Sequence, residues 1–451
     1  MSIGNSTAEH DLNALRAGIA GQVSVPGQTG YDQARQAWNL AVDQRPDVVV
    51  VAESASDVVT AIRYARAHGM RIAPQGTGHG AAPLDALDGA MLLRTTPMRK
   101  VDIDPASRIA RAEAGALWQD VMVPAAEHGL AGLAGFSPDL GVAGHILGGG
   151  LSWLGRCYGL AANNVEAFEL VTADGELVRA DAVSEPDLFW ALRGGGGSFG
   201  IVTGIEFALF PHADMYAGVL WYPIERGHEV LHAWRELTQD NPPDELTTVG
   251  RFVNFPPIPD IPEQIRGKSF VLVEVFHLGK PVQADKWLAG LRALGPVNDT
   301  VATVPIPAVS HIHMDPEQPV PYAGDSLLLD DLPSAAVNAF IEVSGANAAY
   351  PLLSAEIRHL GGELPGRVQE TGRLRASTRS TSCTWSAWHR SRRSRRRLPT
   401  RSPRSSGRWR PGHPRGCTST SPKRSARSSC SGPRRPTGAC AISRRKSIPA
   451  T

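Results

Sequence analysis

The run Arg71-Ile72-Ala73-Pro74-Gln75-Gly76-Thr77-Gly78-His79-Gly80 constrains this chain more than any other stretch. Three glycines alternate with Thr77 and His79 directly behind a short apolar β segment. Glycine enters φ > 0 freely and carries no side chain, so such a loop turns sharply and lets backbone N–H groups approach a ligand. Successive inward-pointing amides make an anion nest suited to phosphate or pyrophosphate. A nest needs no imidazole. His79 is therefore either solvated on a tight surface turn or has a role of its own.

Charge divides the chain in two. The formal net charge of +2 covers 451 residues, but residues 371–451 hold 22 Lys+Arg and no Asp or Glu. The first 370 residues then carry 24 basic and 44 acidic side chains, a formal −20. Cys383, Cys417, Cys430 and Cys440 lie in the basic tail, leaving Cys157 alone in the body. The body reads as an acidic, disulfide-free globular protein large enough for two or more cored domains. The N-terminus has no basic-then-apolar leader pattern and no apolar run approaches a membrane span, so the expected location is cytoplasmic, with no membrane partner.

The tail admits three readings: a basic nucleic-acid-binding arm, an Arg/Ser/Pro-rich disordered segment, or a stretch translated out of frame. Moving the frame two bases forward puts the first base of each tail residue at the centre of a new codon. Ser380 to Trp388 can then hide Tyr-Leu-Met-Tyr-Leu-Val-Gly-Val, a strand-like segment. Cys417 to Lys423 permits Tyr-Leu-Asn-Phe-Ala-Glu, and Gly438 to Pro449 permits an ordinary amphipathic helix end. Three coherent segments in one frame favour a frameshift near residues 369–373 over a genuine basic arm. Sequencing the coding DNA decides it.

In the body, short strands and helices alternate. Val48 to Val51 predicts a strand, and Ser56 can cap the following helix, whose face is Val58, Val59, Ile62 and Ala65. Gly69 ends that helix and Arg71-Ile72-Ala73 leads into the glycine loop. Further strands are expected at residues 91–93, 101–103 and 109–114, a helix over 117–128, and a hairpin around Ala173-Asp174-Gly175-Glu176. Residues 213–370 change texture, with longer strands such as Phe270 to Phe276 and helices at 229–237 and 335–343. The expected domains are a lead-in over 1–40, a domain over 41–212, a second α/β domain over 213–370 and the aberrant tail over 371–451.

Two more glycine clusters lie in the first domain. Gly141 to Gly150 has enough glycine to bring backbone against a flat or extended ligand. Gly195 to Gly200 formally satisfies G-x-G-x-x-G, but a helix precedes it and a strand follows, the reverse of the dinucleotide order, so it is no Rossmann NAD site. No metal-ligand cluster and no Walker-type loop appears in the sequence.

These motifs carry a resemblance. Arg71 to Gly80, Ser137-Pro138-Asp139-Leu140-Gly141-Val142-Ala143-Gly144-His145 with Gly148-Gly149-Gly150, Tyr158-Gly159-Leu160, and Asp187 to Gly196 resemble the berberine-bridge-enzyme-like branch of the vanillyl-alcohol-oxidase/p-cresol-methylhydroxylase (PCMH) flavoprotein superfamily. The likeness is strongest over residues 40–212 and returns at Ala355 to Gly362. It implies an α+β fold: a two-subdomain FAD-binding domain of the PCMH type, then a substrate domain with an antiparallel sheet. It also implies that FAD is joined through a ring nitrogen of His79 to its 8α-methyl group, with Pro74, Gly76, Thr77, Gly78 and Gly80 as the pyrophosphate cradle. Ser137, Asp139, Gly141, Val142, Gly144, His145, Gly148 and Gly149 match cofactor-binding positions, and Ile201 and Val202 match backbone contacts at the adenine end.

Many relatives carry a second link from cysteine in Gly-x-Cys-Pro-x-x-Gly. This chain reads Gly135-Phe136-Ser137-Pro138-Asp139-Leu140-Gly141, so a single tether is expected. Cys157 lies too late in the chain to replace that cysteine and reads as a structural thiol, while His145 could equally be a helix-start histidine satisfied by backbone. The implied activity is oxidation of a small molecule: FAD takes a hydride from a C–H beside a hydroxyl or amine, and molecular oxygen reoxidises it. The family's base, near a terminal Tyr-x-Asn-aromatic segment, falls in the tail, so no catalytic residue is assigned. The alternatives are an inactive flavin-binding remnant, a related reductase lacking any NADPH signature here, or a nucleic-acid-binding protein acting through the tail.

Overall fold

The structure is a computed structural model that describes residues 12–84, 86–349, 352–365 and 381–388, the last as backbone only. Three sheets follow one another along the chain. The first contains β1 (Gln22–Ser24), β2 (Val48–Val51), β3 (Arg71–Gln75) and β4 (Ala90–Arg94) in the order β1-β2-β4-β3. β2 and β3 both run parallel to β4, and β1 is antiparallel to β2. The apolar run of β2 suits a parallel strand covered on both faces, and Val49 and Val50 are wholly buried. The helix Ala55–Ala67 covers one face with Val58, Ala61, Ile62 and Ala65.

That helix corrects one sequence expectation. Its cap is Ser54, whose hydroxyl accepts the amide of Asp57 at 3.2 Å, and not Ser56. Asp57 explains the choice, because its carboxylate accepts the amides of Ala20, Gly21 and Glu53 at 2.9, 3.1 and 2.9 Å. Those three bonds fix the chain entering the helix, and the first turn must begin one step after Ser54.

The second sheet holds β5 (Val101–Asp104), β6 (Ile109–Glu113), β7 (Val165–Val171), β8 (Leu177–Asp181) and β9 (Ile201–Ala208) in the order β5-β6-β9-β7-β8, antiparallel throughout. β7 and β8 form the expected hairpin. The helix Pro186–Leu192 precedes Gly195 to Gly200 and β9 follows it, the reversed order that excludes a Rossmann site.

The third sheet is antiparallel and contains β10 (Asp214–Pro223), β11 (Leu246–Asn254), β12 (Ser269–His277), β13 (Asn298–Asp299), β14 (Ala302–Pro305), β15 (Tyr322–Leu329), β16 (Ser354–His359) and β17 (Thr381–Trp388). β17 lies between β16 and β15, so this sheet takes a strand from beyond residue 370. The segment that the shifted frame would make apolar is thus strand in the chain as written. The rest of the frame reading lies outside the described residues.

Register decides what this sheet offers on each face. Val249 stands opposite both Glu274 and Arg358, and Arg251 opposite Leu272 and Glu356. Side chains alternate along a strand, so Arg251, Glu274, Glu356 and Arg358 share one face. The other face presents Phe252, Val273 and Ile357 to Val230, Leu231, Trp234, Leu288 and Phe340 from the covering helices. The charged face meets the second sheet's core, where Trp153 stacks on Phe276 at 3.7 Å and 12°.

Candidate functional site

The glycine loop after β3, the segment Gly141 to Gly150, and the start of β9 converge on one cavity of about 920 Å³. Pro74, Gly76, Thr77, Gly78, His79 and Gly80 line it, as do Gly141, Gly144, His145 and Gly148, and Ile201 and Val202. The structure thus brings together twelve of the sixteen residues expected at the cofactor. Four stand behind the wall. Val142 is a fully buried core side chain whose amide donates to Ala116. Gly149 spends its amide on Ile146 and its carbonyl on Ala162. Ser137 donates its hydroxyl to Asp139 at 2.5 Å, and Asp139 reaches the cavity only through His79.

The glycines serve two ends. Gly78 has φ +91°, and a Cβ there would lie 3.0 Å from Ala37 and 2.9 Å from the Gln75 amide, so the turn itself requires glycine. Gly80 and Gly144 are different, since a Cβ on either would meet no atom within 4 Å; Gly196 likewise faces open space, although its φ of +75° also calls for glycine. These positions keep backbone bare toward open space, which is what close approach to a flat, phosphate-bearing ligand needs. Gln75, also on the wall, is buried with both amide atoms unpaired among the described residues. A bare-backbone cradle with waiting polar groups fits FAD.

His79 is held on several sides. Trp38 stacks on it with ring centroids 4.1 Å apart and 25° between planes. The Trp38 indole donates to Asp139 Oδ2 at 2.5 Å, and Tyr322 donates its hydroxyl to the His79 carbonyl at 2.7 Å. Nε2 of His79 is buried 3.5 Å from Asp139 Oδ1, a long contact rather than a formed hydrogen bond. Burial alone would raise the Asp139 carboxyl, but His79, Ser137 and Trp38 outweigh it and hold it below its ordinary value. Asp139 is therefore a carboxylate. Trp38 was missed from the sequence because it lies in the lead-in, 101 residues before its partner Asp139.

His145 answers the alternative left open above. Trp118 donates its indole N–H to Nδ1 at 3.0 Å, so Nδ1 is the unprotonated nitrogen, and Nε2–H donates to the Leu151 carbonyl at 3.0 Å. Both nitrogens are committed to protein, and the ring acts as a packed wall. Burial, partly offset by the Leu151 bond, pushes its pKa down to about 4. Because the folded value lies below the unfolded 6.5, the neutral ring's stability is present above pH 6.5 and is lost as pH falls towards 4. Urea midpoints measured between pH 7 and 4 are expected to fall for the native protein and to fall less steeply for His145→Gln.

Cys157 behaves as the structural thiol anticipated. Its Sγ donates to the Asp244 carbonyl at 3.2 Å, and burial pushes its pKa up to about 12. The neighbouring Arg156 is a buried strut, donating to the carbonyls of Leu360 at 2.5 Å and Pro242 at 3.2 Å. It thereby fixes Leu360, which lines the cavity with Arg358, Leu327 and Leu328 of the third sheet.

Arg358 lies 3.6 Å over the Phe136 ring and pairs with Glu356. Behind it runs a buried charge network. Arg251 donates to Glu274 at 2.9 Å, His313 Nδ1 meets Glu274 at 2.8 Å, and His313 Nε2 lies 3.5 Å from Glu356. No local pattern announces this network, since His313 and Glu274 are 39 residues apart. Glu274 within the apolar run Phe270 to Phe276 was the one available signal.

Residues 46–181 match the family model described as an FAD binding domain. (R)-6-hydroxynicotine oxidase of Paenarthrobacter nicotinovorans is 32% identical over 292 residues, covering 63% of this chain and 61% of that protein. The crystal structure of 6-hydroxy-D-nicotine oxidase from Arthrobacter nicotinovorans superposes with TM-score 0.67 at 26% identity, covering 82% and 81% of the two chains. Berberine bridge enzyme from Eschscholzia californica shares the fold, with TM-score 0.70 at 19% identity over 84% and 80%. The chain spans 61% and 60% of the length of two curated relatives that it matches. Fold and cavity define an FAD-binding flavoprotein of the PCMH type. Within that class the fold is the one shared by 6-hydroxy-D-nicotine oxidase and berberine bridge enzyme.

Among the described residues no helix is long and apolar enough to cross a membrane, and no group of three His, Cys, Asp or Glu could hold a metal ion.

Proposed function

We propose that this chain is an FAD-dependent oxidase of a small molecule, with FAD tethered once, through His79. The observation that carries the reading is the placement of His79 on the wall of a glycine-lined cavity that no cysteine lines among the described residues. Bound FAD supplies a two-electron acceptor for a C–H beside a hydroxyl or amine, with dioxygen as the final acceptor. The name of the related (R)-6-hydroxynicotine oxidase supports oxidase chemistry on a small molecule. The loop Gly76 to Gly80 and the open positions Gly144 and Gly196 would hold the cofactor's backbone-facing side. Arg358, Leu360, Leu327 and Leu328 would close the opposite side, exclude water and orient the substrate.

Acid precipitation of the purified, flavin-loaded protein tests the tether. A pellet that stays yellow after washing is expected. A colourless pellet, with all flavin in the supernatant, would overturn the covalent link and leave a dissociable FAD protein.

A further inference from the structure

We propose that Asp139 is the positioning residue that makes His79 a flavin ligand and directs the bond to Nδ1. The inference rests on the reading that His79 carries the flavin. A neutral imidazole has one protonated nitrogen and one bare nitrogen, and only the bare one is a nucleophile. Nε2 is buried and faces the Asp139 carboxylate at 3.5 Å, within reach of a hydrogen bond after a shift of a few tenths of an ångström. A carboxylate beside Nε2 holds the proton there and leaves Nδ1 bare. His79 is among the residues lining the cavity, and Nε2 is the ring nitrogen that faces Asp139, which leaves Nδ1 as the nitrogen free to meet the ligand.

The surroundings keep Asp139 fit for this task. Two other donors, the Trp38 indole and the Ser137 hydroxyl, already bind its oxygens at 2.5 Å each, which fixes the carboxylate and keeps it ionised. Trp38 then adds the second constraint by stacking on the His79 ring, so one side chain sets the plane of the imidazole and the angle of its carboxylate partner. A backbone bond from Trp38 N–H to the Thr77 carbonyl at 3.0 Å ties this pair to the glycine loop.

His79 Nδ1 bonds to the 8α-methyl carbon, that carbon gives up one proton, and the two electrons of the broken C–H bond remain on the isoalloxazine. The alkylated ring is cationic until Nε2 gives up its proton, and the Asp139 carboxylate 3.5 Å away stabilises that charge. Dioxygen takes up the two electrons and two protons as hydrogen peroxide.

The test uses full-length protein produced in riboflavin-depleted cells, to which FAD is added. Acid-stable flavin is followed by in-gel fluorescence, noncovalent binding by quenching of FAD fluorescence, and the isomer by NMR of the isolated histidyl-flavin peptide. Native protein is expected to yield the Nδ1 isomer. D139N is expected to bind FAD but to form the link on the order of 10- to 100-fold more slowly, the scale of loss seen when the outer partner of a metal-ligating histidine is removed. A native link through Nε2, or D139N forming the link at the native rate, overturns the role of Asp139 and leaves the tether standing. Native protein with no acid-stable flavin overturns both. If D139N fails to bind FAD, W38F carries the test. It keeps a stacking ring and removes the N–H bound to Asp139, so slower linkage is expected and an unchanged rate overturns the proposal.

Discussion

Full-length protein carrying His79→Ala is expected to give a colourless acid pellet, with its FAD recovered in the supernatant. The expectation is all-or-none because no cysteine lines the cavity among the described residues, and the other lining histidine, His145, has both ring nitrogens bonded to Trp118 and Leu151. Ser137 stands where many relatives have the linking cysteine, and its hydroxyl is spent on Asp139. Cys157 faces the Asp244 carbonyl as a protonated thiol and does not line the cavity. The glycine cradle is untouched by the substitution, since Gly80, Gly144 and Gly196 owe their bare backbone to their own lack of Cβ. Noncovalent binding should therefore survive. The loss of ring stacking on Trp38 should cost about 0.5–1.5 kcal/mol of stability, small enough to leave a folded protein. A yellow pellet from the variant would mean that a different side chain carries the flavin, and peptide mapping would identify it.

How far the sequence reached follows from the range of the forces involved. The His79 loop was legible because its chemistry is local: alternating glycines behind a β segment dictate a turn that bares backbone, whatever surrounds it. The same local logic dismissed Gly195 to Gly200 as a Rossmann motif, and the helix before it and strand after it confirm that order. The helix cap was assigned to Ser56 in place of Ser54 because the deciding bonds come from Ala20 and Gly21, far back in the chain. Trp38 and Tyr322 reach His79 from opposite ends of the described chain, and stacking or a hydroxyl–carbonyl bond leaves no periodic trace. His145 lies on the cavity wall, but its two partners come from Trp118 and Leu151, so only coordinates could show that its nitrogens are occupied. The roof is less legible still. Arg358 and Leu360 could be read as part of a family-like segment, while the reason Arg358 tolerates burial lies in Glu356 beside it and in the ring of Phe136 beneath it.

Glu274→Ala is expected to be the most destabilising single change in the third sheet. The Glu274 side chain is 0% exposed and accepts from Arg251 at 2.9 Å, with His313 at 2.8 Å. Removing it leaves a guanidinium buried at the centre of the sheet without its main counter-charge, which typically costs about 3–5 kcal/mol. For a domain of this size that corresponds to a fall of roughly 10 °C in Tm. Glu274→Gln keeps the shape and the acceptor oxygen, so its loss should be smaller than that of alanine. The pH dependence separates charge from packing. Burial alone would raise the Glu274 carboxyl, but His313 and Arg251 outweigh burial and hold it well below the ordinary 4.5. A depressed carboxyl contributes stability that is fully present above the unfolded value and is lost as pH falls through the folded one. The native protein should thus lose this contribution progressively below about pH 4.5, and Glu274→Gln, which cannot titrate, should not. Urea midpoints of the two proteins are expected to differ most at neutral pH and to converge as the solution is acidified. A difference that stays constant down to pH 3 would show that Glu274 acts through packing alone and that its charge does nothing for the fold.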